Sequence, residues 1–104
     1  MSEKIIIECE VRSMLIMKDT LEQMGFNYKE LDDHRVQISQ SYHNITIDSN
    51  TGRISCDSAN RREVNKITQE YMLNFFKDKA IKEGNKFREE RLANGEVELH
   101  ILRS

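Results

Sequence analysis

The residues of this chain that could do chemistry are its three histidines and two cysteines, and they stand far apart. His34, His43 and His100 are not spaced with another histidine, cysteine or aspartate in a metal-ligand pattern. We therefore expect each to be a surface residue, and we predict no metal site and no cofactor.

The two cysteines, Cys9 and Cys56, are too few for a disulfide framework. Both stand at the inward positions of alternating apolar runs, where a free thiol behaves as a small hydrophobe. A Cys–His nucleophile pair with His100 is disfavoured, because the alternation sends the thiols inward and His100 outward. We predict buried structural thiols and keep a cysteine-dependent enzyme as the weakest hypothesis.

Asp48, Asn50 and Gly52 have the spacing that opens a calcium loop, but the rest of that pattern fails. An EF-hand needs an oxygen ligand at the fifth position and a glutamate at the twelfth, whereas this chain has Gly52 and Ala59 there. The residues predict a turn. No glycine-rich phosphate loop, no G-x-S-x-G elbow and no recognisable frame of paired acids occurs in the sequence, so we predict that the protein is not an enzyme.

Charge is spread unevenly along the chain. The net charge is -2, yet residues 60–91 carry 9 basic and 6 acidic side chains, or +3. Arg61, Arg62 and Lys66 begin this basic stretch, where a positive helix N-terminus suits an anionic small ligand. Nucleic-acid binding is disfavoured, because the pI is about 5.9 and basic and aromatic residues do not interleave.

The longest periodic segment, Asn60 to Gly84, is the element around which the others must be arranged. Asn60 and Glu63 fit a capping box, and Gly84 fits a helix end. The core-facing stripe comprises Val64, Ile67, Tyr71, Met72 and Phe75. A second apolar edge comprises Leu73, Phe76 and Ala80. A helix this long exceeds a strand in length, so we expect one end to overhang the sheet.

The remaining elements are a shorter helix and several strands. Ser13 and Gly25 fit the two caps of a helix over Met14 to Met24. The predicted strands are Ile5–Arg12, Tyr28–Leu31, Val36–Ser39, His43–Asp48, Arg53–Asp57, Phe87–Leu92 and Glu96–Arg103. The last two strands are joined by the turn Ala93-Asn94-Gly95, in which Asn94-Gly95 is typical of a type I′ hairpin turn. The inward residues of this hairpin should be Val97, Leu99 and Ile101.

This order predicts one α+β domain over residues 1–104. We expect a two-layer sandwich, a mainly antiparallel sheet with two helices on one face, in a ferredoxin-like (split β-α-β) topology or a close variant. No apolar run long enough to span a membrane is present. The N-terminus lacks signal-peptide features, so we expect a cytoplasmic protein.

With these motifs in view, the chain resembles an uncharacterised family of short cyanobacterial, plastid, bacterial and phage proteins, of the conserved plastid open-reading-frame type. The likeness is carried by the helix ending Leu21–Phe26, the segment Ile67-x-Gln69-x-Tyr71, Ala80 and Gly84, and the Glu-rich hairpin around Asn94-Gly95. Family members usually have a longer middle segment with tryptophan, which is shortened here. The resemblance implies a fold and supplies no catalytic residues.

Two functions follow as hypotheses. The first is a small non-enzymatic interaction module that binds a protein partner or forms a homo-oligomer, through a surface comprising Arg61, Arg62, Lys66, Leu73 and Phe76. The second is a protein that binds a small ligand or nucleotide, such as a phage-type inhibitor or sponge, with the three basic residues meeting the anion.

Overall fold

The structure, a computed structural model, describes residues 4–8 (backbone only), 11–39, 44–94 and 97–102. The described residues form two α-helices and seven β-strands. These are β1 (Lys4–Glu8), α1 (Met14–Gln23), β2 (Tyr28–Asp32), β3 (Arg35–Ile38), β4 (Ile45–Asp48), β5 (Arg53–Asp57), α2 (Arg61–Lys82), β6 (Lys86–Arg91) and β7 (Val97–Leu102). A 3-10 turn, Ser58–Asn60, precedes α2. The predicted α+β class is confirmed.

The chain divides into two compact units, and the boundary lies inside α2. The first unit is Met1–Tyr71 and the second is Met72–Ser104. The first contains an antiparallel sheet in the order β1-β5-β4-β3-β2, and the second contains the antiparallel pair β6-β7. The arrangement is consistent with a two-layer sandwich. The ferredoxin-like topology is not confirmed, because four strands rather than two lie between the helices along the chain. The single domain over 1–104 stays a prediction.

The core of the first unit lies on one face of its sheet. Val36, Ile47 and Ile54 are directly paired across three strands, and each has 0% of its surface exposed. The alternate positions of these strands are exposed or only half-buried. Since one sheet face is apolar, the helices must cover that face. Their fully buried residues are Met17, Thr20 and Leu21 of α1 and Val64, Ile67 and Tyr71 of α2.

Ser13 caps the start of α1, where its hydroxyl accepts a hydrogen bond from the Ile16 amide, as its N-cap role predicts. The two helices end in the same way as each other. At the end of α1, Gly25 has φ +80°, and the Phe26 amide donates to the Leu21 carbonyl at 2.9 Å. Gly84 has φ +75° after α2, and the Asn85 amide donates to the Ala80 carbonyl in the same pattern. These are Schellman ends, for which glycine avoids the strain of a positive φ.

Several predicted features lie outside the described residues. These are Cys9, His43, Gly95, Glu96 and Arg103, so the burial of the Cys9 thiol and the φ angle of Gly95 stay predictions. Asn60 directly precedes α2, as expected. Its side-chain oxygen accepts from the Asn44 amide at 3.5 Å, which ties the start of α2 to the chain before β4.

The C-terminal hairpin is present as predicted, with β6 and β7 paired antiparallel. Arg91 pairs with Val97 at the turn end of the described residues, which is the pairing that strands Phe87–Leu92 and Glu96–Arg103 on either side of Ala93-Asn94-Gly95 would give. The type I′ conformation of the turn stays a prediction, because Gly95 lies outside the described residues. Val97 and Leu99 are half-buried. Ile101 lies on the same face of the hairpin as Val97 and Leu99, as predicted, but remains 41% exposed.

Candidate interaction surface

The predicted basic residues lie together in the first unit. Arg61, Arg62 and Lys66 are exposed on the first turns of α2 and line a shallow groove of about 630 Å³. The remaining lining residues are Ser58, Ala59, Glu63, Asn65 and Gln69. Because the helix N-terminus carries partial positive charge, the groove has the electrostatics expected for contact with an anion.

One acidic side chain in the groove opposes the binding of an anion. Glu63 also lines the groove, and its Oε2 atom is buried without a hydrogen-bond partner among the described residues. The predicted capping box would use this carboxylate at the Asn60 amide. A carboxylate oxygen without a hydrogen-bond partner in this position repels an incoming anion and favours a ligand group that donates a hydrogen bond. The groove is therefore chemically mixed rather than a purely basic anion site.

The two predicted apolar residues have different environments in the second unit. Phe76 is 41% exposed and its ring meets that of Phe75 edge-on, with centroids 5.9 Å apart. Leu73 is 7% exposed, so it offers almost no area to a partner and the prediction that it forms part of an exposed surface is wrong. The structure thus leaves Phe76 as the apolar member of the predicted surface.

The β6–β7 hairpin has two chemically different faces. Its inner face is defined by three cross-strand pairs, Phe87–Ile101, Glu89–Leu99 and Arg91–Val97. Lys77 of α2 identifies this face, because its Nζ lies 3.2 Å from Glu89 Oε2 and 5.6 Å from the centre of the Phe87 ring. The helix therefore packs against the inner face through a cation held by a carboxylate and an aromatic ring.

The outer face of the hairpin consists of the pairs Lys86–Leu102, Arg88–His100 and Glu90–Glu98. Two carboxylates stand directly opposite each other in the last pair, an arrangement that destabilises a hairpin. His100 Nε2 lies 3.2 Å from Glu98 Oε2 and 3.7 Å from Glu90 Oε2, and so lies beside both. These three side chains bring ligand atoms within 4.8 Å of one another, but all three are largely open to solvent.

Cys56 lies in the buried core, and His34 lies in a hydrogen-bonded turn. Cys56 is 1% exposed in β5, and burial raises the pKa of its thiol, with the Asp57 carboxylate adding to the shift. A thiol held protonated is a poor nucleophile. His34 lies in the turn after β2, where Asp32 accepts from its amide at 3.0 Å and from Arg35 Nε at 2.7 Å. Both contacts order a turn.

The predicted turn at Asp48 is confirmed in detail. Its Oδ1 accepts from the Asn50 amide at 2.8 Å, and Gly52 has φ +74°. These are the bonds of an Asx turn, and they occupy an oxygen that a calcium loop would direct at the ion.

The cluster around His100 was missed by the sequence reasoning. That reasoning compared ligand spacings along the chain, whereas Glu90 and His100 are brought together across the hairpin. The alternation of charges in β6 and β7 carried the signal. It could be used only together with the register of the hairpin, which spacing along the chain does not give.

Comparisons of the chain with protein families, curated proteins and solved structures found no match. Neither helix in the described part of the chain is both long and apolar enough to cross a membrane. The resemblance to the plastid and cyanobacterial family stays a prediction.

Proposed function

We propose that this protein is a small non-enzymatic interaction module that binds another polypeptide, either a protein partner or a second copy of itself, through its second unit. The proposal is carried by one observation, the uneven exposure of large apolar side chains. Most of those exposed in the described residues belong to this small unit: Phe76 (41%), Ile81 (62%), Phe87 (36%), Ile101 (41%) and Leu102 (55%). Large apolar side chains exposed mainly in one part of a molecule favour that part as an interaction site.

Two further observations support the proposal. Every residue of β6 is exposed, and among the described residues β6 and β7 pair only with each other. A two-stranded hairpin is marginally stable alone, and the outer edge of each strand pairs with no other strand in the described part of the chain. Another chain could both cover the apolar residues and pair with an edge.

The test compares one variant in each unit. Ile101→Glu changes an exposed residue of β7, and Leu15→Glu is the matched control on α1, where Leu15 is 72% exposed. Each tagged chain is measured by sedimentation velocity over a range of concentrations and by pulldown from a cell lysate. We expect Ile101→Glu to weaken association and Leu15→Glu to leave it unchanged. A wild-type chain that stays monomeric and retains no partner contradicts the proposal.

A second candidate function is the binding of an anionic small ligand or nucleotide. The observation that favours it is the groove lined by Arg61, Arg62 and Lys66. Its test is a thermal-shift screen with nucleotides and inorganic phosphate, using Arg62→Gln as the variant and Arg53→Gln as a control of equal charge change. A ligand of the groove should raise the Tm of the wild type and of the control but not of Arg62→Gln. No rise with any of them contradicts this function.

A further inference from the structure

The two outer edges of the hairpin differ in their protection against pairing. Strand β6 has charged side chains at all of its positions but one: Lys86, Arg88, Glu89, Glu90 and Arg91. Charges of both signs along an edge are a common device against association between sheets. Strand β7 reads Val-Glu-Leu-His-Ile-Leu, with only Glu98 and His100 ionisable. The edge open to another strand is therefore that of β7.

The β7 sequence is self-complementary about Leu99. If a second copy of β7 runs antiparallel with the two Leu99 residues opposite each other, Glu98 of one copy faces His100 of the other. Val97 of one copy then faces Ile101 of the other. A neutral imidazole can donate a hydrogen bond to the carboxylate, and a protonated one adds opposite charge. The two-fold axis repeats both kinds of pair.

This register also gives the opposed carboxylates of each hairpin additional complementary neighbours. In one copy Glu90 stands opposite Glu98, and Arg88 stands opposite His100. Across the proposed axis, the acidic pair of one copy continues into the His100–Arg88 pair of the other. Two carboxylates thus lie in one line with an imidazole and a guanidinium. Glu98 of each copy already has its own His100 beside it, and it gains the His100 of the other copy, so charge complementarity selects the partner.

The backbone hydrogen bonds and the inner-face side chains are both compatible with this register. It pairs odd-numbered residues with odd-numbered ones and even-numbered with even-numbered. Whichever alternate set of β7 amides points outward therefore lies opposite the same set on the second copy. On the inner face, Val97, Leu99 and Ile101 of both copies become neighbours. The exposed area of Ile101 would then be covered by an apolar side chain.

We infer that this protein forms a two-fold dimer in which β7 pairs antiparallel with β7 of a second copy, centred on Leu99, giving a continuous sheet in the order β6-β7-β7-β6. The inference rests on the proposed interaction function and specifies its partner. It assigns to Glu98 and His100 the role of choosing that partner and its register.

A charge exchange across the axis tests the pairing in full-length protein. Glu98→Lys places a lysine opposite His100 of the second copy, and His100→Glu places a glutamate opposite Glu98. Each variant alone should therefore dimerise more weakly than wild type, by roughly two- to thirty-fold over the two symmetric contacts. An equal mixture should form heterodimers, because the new lysine then meets the new glutamate and the remaining His100 meets the remaining Glu98.

Rescue on mixing separates pairing from folding, since a variant that merely misfolds gains nothing from a second misfolded chain. Native mass spectrometry distinguishes the two homodimers from the heterodimer. Variants that dimerise as tightly as wild type, or a mixture with no excess of heterodimer, overturn the inference. If wild type forms dimers and the variants dimerise equally tightly, the proposed function stands and the β7 pairing is overturned. A wild type that is monomeric at every concentration also overturns the pairing, and the pulldown then decides the proposed function separately.

The register has its own test in cysteine cross-linking. Only the residue on the axis meets its own copy, so Leu99→Cys should form a disulfide-linked dimer on mild oxidation. Val97→Cys is the matched control, because the two Val97 residues would stand about 13 Å apart, four residues at roughly 3.3 Å each, beyond disulfide reach. Peptide mapping excludes links through the native cysteines. Efficient linking at position 97 and not at 99 overturns the register.

Discussion

The two units of this chain differ in how far each buries its own apolar surface. The first unit surrounds Val36, Ile47 and Ile54 completely, with both sheet neighbours and helices contributing. The second has a strand whose every residue is exposed and a hairpin with Ile101 at 41% exposure. A unit with a complete core needs no partner, whereas one with uncovered apolar residues gains from covering them. This difference in burial indicates that an interaction site should be sought in the second unit.

The largest expected effect comes from truncating the first core. Ile54→Ala removes a side chain of 0% exposure from a strand paired on both sides, and should lower the free energy of unfolding by about 2–5 kcal/mol. The matched change in the second unit, Ile101→Ala, should cost less than about 1 kcal/mol in dilute protein, since that side chain is already partly in water. Urea unfolding followed by circular dichroism measures both. Equal losses would contradict the contrast between the units.

A smaller effect is expected from a buried hydroxyl that ties α2 to the start of α1. Tyr71 is fully buried, and its hydroxyl accepts from the Arg12 amide at 2.9 Å and the Ser13 amide at 3.0 Å. Tyr71→Phe leaves these donors without that acceptor and should lower stability by about 1–3 kcal/mol. Tyr28→Phe is the control. Its hydroxyl donates to Glu22 at the surface, so its loss should change stability by less than about 0.5 kcal/mol.

The two helix-ending glycines allow the units to be perturbed equally. Gly25 and Gly84 have nearly the same positive φ, and an added Cβ would meet no atom within 4 Å at either. Each change to alanine should therefore cost about 1–2 kcal/mol through the backbone alone. By hydrogen exchange, we expect Gly84→Ala to accelerate β6 and β7 while leaving β4 and β5 unchanged. A uniform acceleration across all four strands would mean that the units open together.

The smallest effect is a pH dependence confined to the first unit. Hydrogen bonding from Arg35 holds the pKa of Asp32 below its usual value, assisted by the His34 amide. A carboxyl whose pKa is lowered by folding stabilises the protein above its unfolded pKa and loses that contribution as pH falls through the folded one. The Tm should therefore fall below about pH 4 less steeply in Asp32→Asn than in wild type. Parallel curves for the two proteins would exclude this contribution.

The sequence predicted the features that depend on local chemistry. Ser13, Gly25 and Gly84 mark helix ends through cap residues whose preferences need no tertiary context, and the strands over Val36, Ile47 and Ile54 follow from alternation. The α+β class follows from the order of these elements. Local chemistry was therefore sufficient to predict the features that are set within a single segment of the chain.

The features that failed depend on pairings between segments. Leu73 was predicted to belong to a spare helix edge, yet it is buried, because helical periodicity does not state what covers each edge. The register of the last hairpin was not predicted, since Asn94-Gly95 is compatible with more than one loop length. The opposition of Glu90 and Glu98 depends on that register and could not be found without it.

The central claim is that a second copy completes the second unit by pairing with β7. Hydrogen–deuterium exchange of the wild-type chain over a dilution series tests it most directly. We predict that amides of residues 97–102 exchange more slowly as concentration rises through the dimerisation range, while those of residues 53–57 keep one rate throughout. Exchange in β7 that is the same at every concentration, including those at which sedimentation shows dimers, would contradict the account.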